Sequence, residues 1–464
     1  MSRIYLAGGR VLDPATHLDG VRTVVLELGE GGAGRFAEVR EAAPSAAEAA
    51  SGTVVDCAGK LVLPGLVDLH VHLREPGEEG KETIESGCRA AVAGGVTTVV
   101  AMPNTRPVCD SAAIVRLVQS RAREAGLCKV LIAGAITRGS LGEALADAAE
   151  LADAGCVALT DDGRPVMNAG VMRRALEYAR DLDLPIFVHD EDLNLSAGFA
   201  MNEGPVATRL GLPGYPNAAE VVMVERDLLL AEMTGARLHI CHVSAAGSVR
   251  AIRAAKERGV RVTAEAAPHH FTLTDEAVAG LPATGYPNAP MGLAYDTHAK
   301  MNPPLRSEAD RQAVVGALAD GTIDAVATDH APHGPLDKQV EFGCAANGVV
   351  GLETALPLLL SLVRTGELSL LSAVERMTTG PARVLGLPLG RIAVGAPADV
   401  IVVDLEKSWT VDARGLHSKS KNSPFLGWTL KGQVERTYVD GKLVHTAQKA
   451  ANAAATAGSK EKHR

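Results

Sequence analysis

The chain has 464 residues, a net charge of −9 and no long run of Lys or Arg, which argues against nucleic acid or an anionic membrane surface as a partner. Its length fits one large barrel with an accessory domain, and its 47% hydrophobic but only 3% aromatic residues are typical of an enzyme built from helices around a parallel sheet. The seven cysteines form no Cys-x-x-Cys pair, which argues against a disulfide framework and a thiolate zinc site. No apolar run approaches the roughly 20 residues that span a bilayer, and the N-terminus lacks the apolar core of a signal peptide, so we expect a cytoplasmic protein.

Residues 1–60 read as short strands joined by turns. Apolar, β-branched segments at 24–28 and 53–56 predict two of these strands. The low-complexity stretch 41–51 lies between them and predicts a surface excursion or a short helix, since nothing in its pattern demands burial.

From about residue 61 short apolar strands alternate with helical segments. Asp110 or Ser111 is expected to open the second helix and Gly126 to close it. Eight such units predict a (β/α)8 TIM-like barrel, whose catalytic residues lie at the C-terminal ends of the strands. The predicted strands are 62–70, 96–102, 129–135, 156–160, 185–189, 237–242, 261–265 and 323–328. The predicted helices are 82–94, 111–125, 141–154, 169–182, 217–235, 246–258 and 307–319.

After about residue 385 the chain returns to strands, at 398–404 and at 434–444, where Asp440-Gly441 predicts a hairpin turn. Neither terminal region is long enough to build a core alone. We therefore predict an α/β protein in which both terminal regions form one small β-sandwich domain beside the barrel. The predicted division is 1–60 with 385–446 for the sandwich, 61–384 for the barrel and 447–464 for a disordered tail.

Histidines and aspartates stand at the ends of five predicted strands. Residues two apart on a strand point to the same face, so the pair on strand one can converge on a single ion. One buried His or one Asp pair is more often a packing or capping residue, but five strand ends of one barrel are hard to explain as packing. These residues are His70 and His72 on strand one, Asp161 and Asp162 on strand four, His189 on strand five, His242 on strand six and Asp329 on strand eight.

Four histidines and two carboxylates suffice for two divalent metals, which together activate a water molecule and polarise a carbonyl. Asp162 suits a bridge between the ions, and Asp329 suits proton transfer to a leaving nitrogen. Other histidines receive a different interpretation. We expect His239 to face outward, and His269 and His270 either to contact substrate or to cap a loop.

The chain resembles the amidohydrolase superfamily and, within it, the dihydroorotases of class I type, over about residues 55–445. The resemblance implies zinc, one or two ions per subunit, held by His70, His72, Asp162, His189, His242 and Asp329, with Asp329 also moving the proton. The motifs that carry the resemblance are DLHVHLREPG at 68–77, MPNTRP at 102–107, KMNPPLR at 300–306 and TDHAPH at 328–333.

The same resemblance implies a set of substrate-binding residues. A guanidinium beside amide and imidazole donors suits a substrate carboxylate, which makes Arg74 the discriminating residue. The chain has no lysine on strand four to bridge the metals, Asp190 stands where the family usually has a small cysteine, and Asn347 stands where an aromatic is common. The implied substrate-binding residues are His72, Arg74, Asn104, Asn302, His333, Asn347 and Gly348.

The implied activity is the zinc-dependent, reversible cyclisation of N-carbamoyl-L-aspartate to L-dihydroorotate in pyrimidine synthesis. Two alternatives stay open: a dihydropyrimidinase, hydantoinase or allantoinase, and an inactive scaffold for aspartate transcarbamoylase. The family also leaves open a complex of the active enzyme with that transcarbamoylase, and a homodimer is the default expectation. The long polar segment 333–348 is interpreted as a lid that excludes water or as an ordinary loop.

Overall fold

The computed structural model describes residues 2–29, 33–283 and 289–447. Of the predicted tail, 447–464, all but Ala447 lies outside the described residues. The strands of the described part are Ser2–Asp13 (β1), Leu18–Leu28 (β2), Gly34–Arg40 (β3), Thr53–Asp56 (β4), Leu61–Pro64 (β5), Leu66–Val71 (β6), Val96–Ala101 (β7), Lys129–Gly134 (β8), Cys156–Thr160 (β9), Ile186–Val188 (β10), Met201–Asn202 (β11), Gly214–Tyr215 (β12), Leu238–Ile240 (β13), Val262–Ala266 (β14), Ala325–Val326 (β15), Val400–Thr410 (β16), Thr429–Val439 (β17) and Lys442–Thr446 (β18).

Helices alternate with the central strands, as predicted. The α-helices of the described part are Ala46–Ser51 (α1), Ile84–Ala93 (α2), Ala112–Ala125 (α3), Ala148–Asp153 (α4), Ala169–Asp181 (α5), Pro205–Leu210 (α6), Asn217–Thr234 (α7), Ala246–Glu257 (α8), Pro268–Thr272 (α9), Glu308–Asp320 (α10), Pro335–Lys338 (α11), Ala355–Arg364 (α12), Leu370–Met377 (α13) and Thr379–Leu385 (α14). Short 3-10 turns lie at Arg138–Ser140, Asp275–Ala279, Thr297–Ala299 and Phe342–Cys344.

Eight parallel strands form the barrel, in the order β15-β14-β13-β10-β9-β8-β7-β6. The two ends of this sheet approach each other, because Val71 forms a parallel bridge with His330 and the backbone N–H of His72 donates to the His330 carbonyl at 2.9 Å. The barrel is therefore nearly closed, and the (β/α)8 prediction is confirmed. Its C-terminal rim gathers the residues that follow each strand.

The second sheet uses both ends of the chain, in the order β18-β17-β16-β5-β1-β2-β3, with β4 beside β1. It folds back on itself, since the N–H of Phe36 on β3 donates to the Ala396 carbonyl and the N–H of Gly34 to that of Asp440. Leu26, Val62 and other side chains from both terminal regions share its apolar core. The prediction of one β domain from the two termini is confirmed.

Two predicted elements are corrected. The predicted strand 62–70 is interrupted at Gly65, where β5 leaves the terminal sheet and β6 enters the barrel. A β-carbon at Gly65 would collide with Thr97 of β7, so glycine permits the close approach of the two strands. The predicted helix 141–154 forms only as α4, because Gly139 and Gly142 adopt positive φ of 62° and 72° and the chain turns before the helix begins.

Several local predictions are confirmed. Helix α3 begins after Ser111 and ends at Gly126, whose φ of 60° is the left-handed conformation of a helix C-cap. Asp440 and Gly441, with φ of 47° and 73°, form the turn between β17 and β18. All seven cysteines are free. Among the described residues, no helix is both long and apolar enough to cross a bilayer.

Candidate metal centre

The C-terminal rim of the barrel brings the predicted ligands together. His70 lies at the end of β6 and His72 directly after it, while His189 directly follows β10. Because parallel strands end at one rim, side chains distant in sequence converge there. The remaining predicted ligands on the rim are Asp162 after β9, His242 after β13 and Asp329 after β15.

A first group of side chains surrounds one point. His70 Nε2 lies 3.2 Å from Asp162 Oδ1, and His72 Nε2 lies 3.5 Å from Asp162 Oδ2. Asp329 Oδ1 lies 3.1 Å from His72 Nε2 and 3.6 Å from His70 Nε2. Two imidazole nitrogens and two carboxylates therefore face a common centre, in which His70, His72 and Asp162 are close enough to hold a metal ion.

A second group shares Asp162 with the first. His189 Nδ1 lies 3.0 Å from His242 Nε2, and these nitrogens lie 3.9 and 3.8 Å from Asp162 Oδ1. Asp162, His189 and His242 also form a group that can hold a metal ion. Asp162 thus has the position that a bridging carboxylate needs.

The donor set fits a divalent cation. His70 Nε2 is buried and has no hydrogen-bond partner among the residues that the structure describes, although two carboxylates lie within 3.6 Å of it. A buried nitrogen without a hydrogen bond is unfavourable, and a cation in the centre would use its lone pair. Imidazole nitrogens and carboxylate oxygens are common ligands of first-row divalent metals. The arrangement supports a metal cofactor and does not distinguish among these metals.

Charges in the cluster are strongly coupled. Burial alone would lower the pKa of His70, but the negative charge of the adjacent Asp162 outweighs it and raises the pKa well above 6.5. Burial likewise opposes ionisation of Asp162 and Asp329, but the neighbouring imidazoles lower the pKa of both carboxyl groups below the usual 3.8. Without metal, protonated histidine therefore neutralises the aspartates.

The predicted substrate-binding residues line one cavity above the cluster, with a volume of about 710 Å³ that is open to solvent. The cavity also contains Asp329, so a bound molecule can contact a guanidinium and the metal centre at once. The predicted residues on its wall are His72, Arg74, Asn104, Asn302, His333, Asn347 and Gly348.

Arg74 is almost buried, and its φ of 59° turns the backbone after the His-x-His pair. Its Nε donates to the Pro332 carbonyl at 3.2 Å, while its closest carboxylate, Glu78, lies 4.0 Å from one terminal nitrogen. The guanidinium is thus oriented but has no close carboxylate partner within the described part of the chain. Such a group can accept a bidentate anionic ligand.

His333 is held neutral beside Arg74. Burial, followed by the positive charge of Arg74, lowers the pKa of His333 to about 2. Its Nε2 lies 2.8 Å from the Asn347 carbonyl and donates to it. The imidazole therefore contributes a polar surface to the cavity without adding charge.

Two asparagines in the cavity contact the metal cluster. Asn104 accepts from His72 Nδ1 at 2.9 Å and donates to Asp162 at 3.3 Å. Asn302 donates to Glu191 at 2.8 Å, and its own Oδ1 is buried and finds no hydrogen-bond partner in residues 2–29, 33–283 or 289–447. That unpaired acceptor points to a ligand with a donor group.

Two acidic residues at the site were not predicted. Glu191 lies 3.0 Å from His189 Nε2, and Glu265 of β14 lies 2.9 Å from His70 Nδ1. Glu265 could have been noticed in the sequence, because a charged residue is unusual in a strand as apolar as β14. Glu191 lies in a loop, where a charged residue gives no such signal.

The expectation that His239 faces outward is wrong: it is 0% exposed, inside the barrel. Its ring nitrogens contact Thr263 and Glu265.

Asp190 is buried beside Asp227. Burial and the Asp227 charge raise the pKa of Asp190 well above 3.8. His269 is buried, and His270 Nε2 lies 2.9 Å from the Pro303 carbonyl. Neither histidine lines the cavity.

Comparisons with known proteins agree with this architecture. The dihydro-orotase-like family model matches residues 59–248. The chain is 55% identical over 447 residues to a dihydroorotase of Anaeromyxobacter dehalogenans, covering 96% of this chain and 99% of the relative. It is 52% identical over 443 residues to a dihydroorotase of Syntrophotalea carbinolica, with the same coverage of both chains. The solved L-hydantoinase (dihydropyrimidinase) of Arthrobacter aurescens is 26% identical, with a TM-score of 0.80 over 96% of each chain.

A nearly closed barrel with a His/Asp cluster on its C-terminal rim, beside a β domain drawn from both termini, defines an amidohydrolase-type protein. Within that class the sequence similarity extends over almost the whole chain. The chain belongs to the dihydroorotase family.

Proposed function

We propose that the protein is a zinc-dependent dihydroorotase that interconverts N-carbamoyl-L-aspartate and L-dihydroorotate in pyrimidine synthesis. The observation that carries the proposal is the position of Arg74 and Asp329 on the wall of one cavity. Dihydroorotate has a carboxylate for the guanidinium and, across its ring, an amide for the metal centre. The family relationship to dihydroorotases supports the same substrate.

We further propose zinc as the metal, with His70, His72, Asp162, His189, His242 and Asp329 as its ligands. When bound, the cation supplies Lewis-acid chemistry, since it polarises a carbonyl and lowers the pKa of a water molecule. Two groups of ligands share Asp162, which favours two ions over one. The zinc content per subunit, measured by elemental mass spectrometry, tests whether one or two ions are bound.

Asp329 is the proton-transfer residue in this proposal. Its low pKa keeps the carboxylate ionised at neutral pH, so it can accept a proton from the attacking water molecule. In hydrolysis it then delivers that proton to the departing ring nitrogen, and in cyclisation it removes the proton from the attacking nitrogen.

The substrate is oriented by polar side chains on the wall of the cavity. Arg74 binds the carboxylate through its guanidinium, and the buried Oδ1 of Asn302 accepts from a substrate N–H. Asn104 holds His72 and Asp162 in place while facing the same cavity. Together these contacts place the reacting amide beside Asp329.

The second candidate is a hydantoinase or dihydropyrimidinase, because solved structures with these names share the fold. Their name-giving substrates, hydantoin and dihydropyrimidine, have no carboxylate for Arg74. An inactive scaffold for aspartate transcarbamoylase is disfavoured, because all six ligand positions are filled. Location in the cytoplasm, a homodimer and a complex with that transcarbamoylase stay predictions.

A comparison of substrates separates the candidates. The purified protein, loaded with zinc, is assayed with L-dihydroorotate, dihydrouracil and hydantoin at equal concentrations. We expect a much higher kcat/KM for L-dihydroorotate. Faster turnover of dihydrouracil or hydantoin would favour the second candidate.

A further inference from the structure

A line of polar side chains runs through the barrel interior beneath the metal centre. Thr263 and Glu265 lie two apart on β14 and face the same way, and His239 on β13 pairs with Thr263 in register. Thr263 Oγ1 lies 2.9 Å from His239 Nδ1, and His239 Nε2 lies 3.0 Å from Glu265 Oε2. Glu265 Oε1 completes the line, 2.9 Å from His70 Nδ1.

The carboxylate assigns the protons along this line, because an ionised carboxylate only accepts hydrogen bonds. His239 therefore carries its proton on Nε2 and donates to Glu265 Oε2. Nδ1 of the neutral imidazole is then an acceptor, so the Thr263 hydroxyl, 2.9 Å away, donates to it. His70 donates to the same carboxylate from Nδ1, which leaves the lone pair of its Nε2 facing Asp162 and Asp329.

These polar groups are unusual for their surroundings. His239 and Glu265 are 0% and 1% exposed, and the barrel core around them is otherwise formed by side chains such as Val100, Ala158 and Phe187. The His239 ring lies 4.5 Å from the Phe187 ring. A buried carboxylate in such a core is unfavourable unless donors satisfy it. Two imidazole N–H groups do so here, and one of them belongs to a proposed metal ligand.

We propose that Glu265 is a positioning residue that sets the tautomer and orientation of His70, and that His239 and Thr263 hold Glu265 in place. Histidine ligands of metals commonly donate their second N–H to a carboxylate, which strengthens the ligand. Here a second imidazole, that of His239, donates to the other oxygen of the Glu265 carboxylate. The inference rests on the proposed metal site, not on the identity of the substrate.

Glu265→Gln is the principal variant, since it keeps the shape and removes the charge. The amide oxygen can still accept from His70, but the amide N–H groups would face the His239 N–H. The two facing N–H groups repel each other, and this repulsion is removed only if the His239 proton moves to Nδ1. Thr263→Val, on a half-buried side chain, removes the hydroxyl that favours the Nε2 tautomer and keeps the volume. Asp13→Asn is the matched control, because Asp13 is a fully buried, hydrogen-bonded carboxylate in the terminal sheet.

The measurements are the dissociation constant for Zn²⁺, from competition with a chromophoric chelator, and the visible absorption spectrum of the Co²⁺-loaded protein. We expect Glu265→Gln to weaken Zn²⁺ binding by about 10- to 100-fold and Thr263→Val by about 3-fold. Both should change the Co²⁺ spectrum, with KM for dihydroorotate nearly constant. Asp13→Asn should alter only thermal stability.

Unchanged Zn²⁺ affinity and an unchanged Co²⁺ spectrum in both barrel variants would overturn the inference. If Glu265→Gln fails to fold, Thr263→Val decides alone by the same two readouts. A wild-type protein that binds Zn²⁺ tightly but does not convert dihydroorotate would contradict the proposed function, while the affinity series still tests the role of Glu265.

Discussion

His189 Nδ1 and His242 Nε2, at the ends of neighbouring barrel strands, lie 3.0 Å apart. Two imidazole nitrogens at this distance require a proton or a cation between them, because two facing lone pairs repel. On the outer side, Glu191 accepts from His189 Nε2 at 3.0 Å and orients the ring. Protons and metal ions therefore compete for the same atoms.

The first prediction concerns stability against pH. In the metal-free protein the pKa of His70 is raised above 6.5, so its stabilisation is complete below pH 6.5 and is lost as the pH rises through the raised pKa. The pKa of Asp162 is lowered, so its stabilisation is present above pH 3.8 and lost as the pH falls further. This cluster therefore makes the metal-free protein most stable between these values.

Bound Zn²⁺ should reverse the dependence of stability on pH on the alkaline side. Zn²⁺ binds deprotonated histidine, so its stabilisation grows as the pH rises. We expect the Tm difference between zinc-loaded and metal-free protein to increase from about pH 5 to about pH 8. Calorimetry of both forms across this range measures it, and a difference independent of pH would contradict competition between protons and metal.

The second prediction is for proton transfer. Asp329→Asn removes the basic carboxylate and should lower kcat by about 10²- to 10⁴-fold, with KM changed far less. Steady-state kinetics in both reaction directions measures the loss. Asp310→Asn is the control, because Asp310 is a buried carboxylate that accepts from Ser307 and Asn217 outside the cavity. Equal losses of kcat in the two variants would contradict a role for Asp329 in catalysis.

The third prediction concerns substrate recognition. Arg74→Gln removes a charged hydrogen-bond donor and should raise KM for dihydroorotate about 10- to 100-fold, because the carboxylate loses its partner. The control is Arg106→Gln, whose guanidinium lies 3.5 Å from the same Glu78 but is largely exposed. An unchanged KM in the Arg74 variant would place the carboxylate elsewhere.

The fourth prediction concerns the segment 333–348. Lys338 is buried and donates from Nζ to the carbonyls of Thr297, Lys300 and Ala346 at 3.0, 3.2 and 2.7 Å. Lys338→Met removes these three hydrogen bonds from a buried site and should loosen the segment, which raises KM and speeds cleavage there by subtilisin. Leu336→Met, on a side chain 92% exposed, is the control. Substrate should slow the cleavage if the segment closes over the cavity, and leave it unchanged if it is an ordinary loop.

Much of the fold could be predicted because the strands and helices of the barrel have distinct periods. Strand ends carrying His or Asp, such as His189 and His242, marked the rim, since parallel strands end together. The break at Gly65 could not be predicted, because it depends on the approach of Thr97 from another strand. The boundaries of the predicted domains stay predictions.

The hydrogen bonds beneath the proposed metal centre could not be predicted from the sequence either. Glu265 and His70 are 195 residues apart, and only the closure of the barrel brings them into contact. The direction of His239 depends on the parity of a three-residue strand, where a shift of one residue exchanges inside and outside. Residues at the rim can be recognised in the sequence because they stand at strand ends. Their hydrogen-bond partners can be identified only once the register of neighbouring strands is known.

The most direct test of the central claim is consumption of L-dihydroorotate by the purified protein before chelation, after chelation, and after zinc is restored. We predict turnover that disappears when the metal is removed and returns with Zn²⁺. Absence of turnover by zinc-loaded protein would contradict the proposed reaction, and turnover that persists after complete metal removal would contradict the proposed role of the His/Asp cluster.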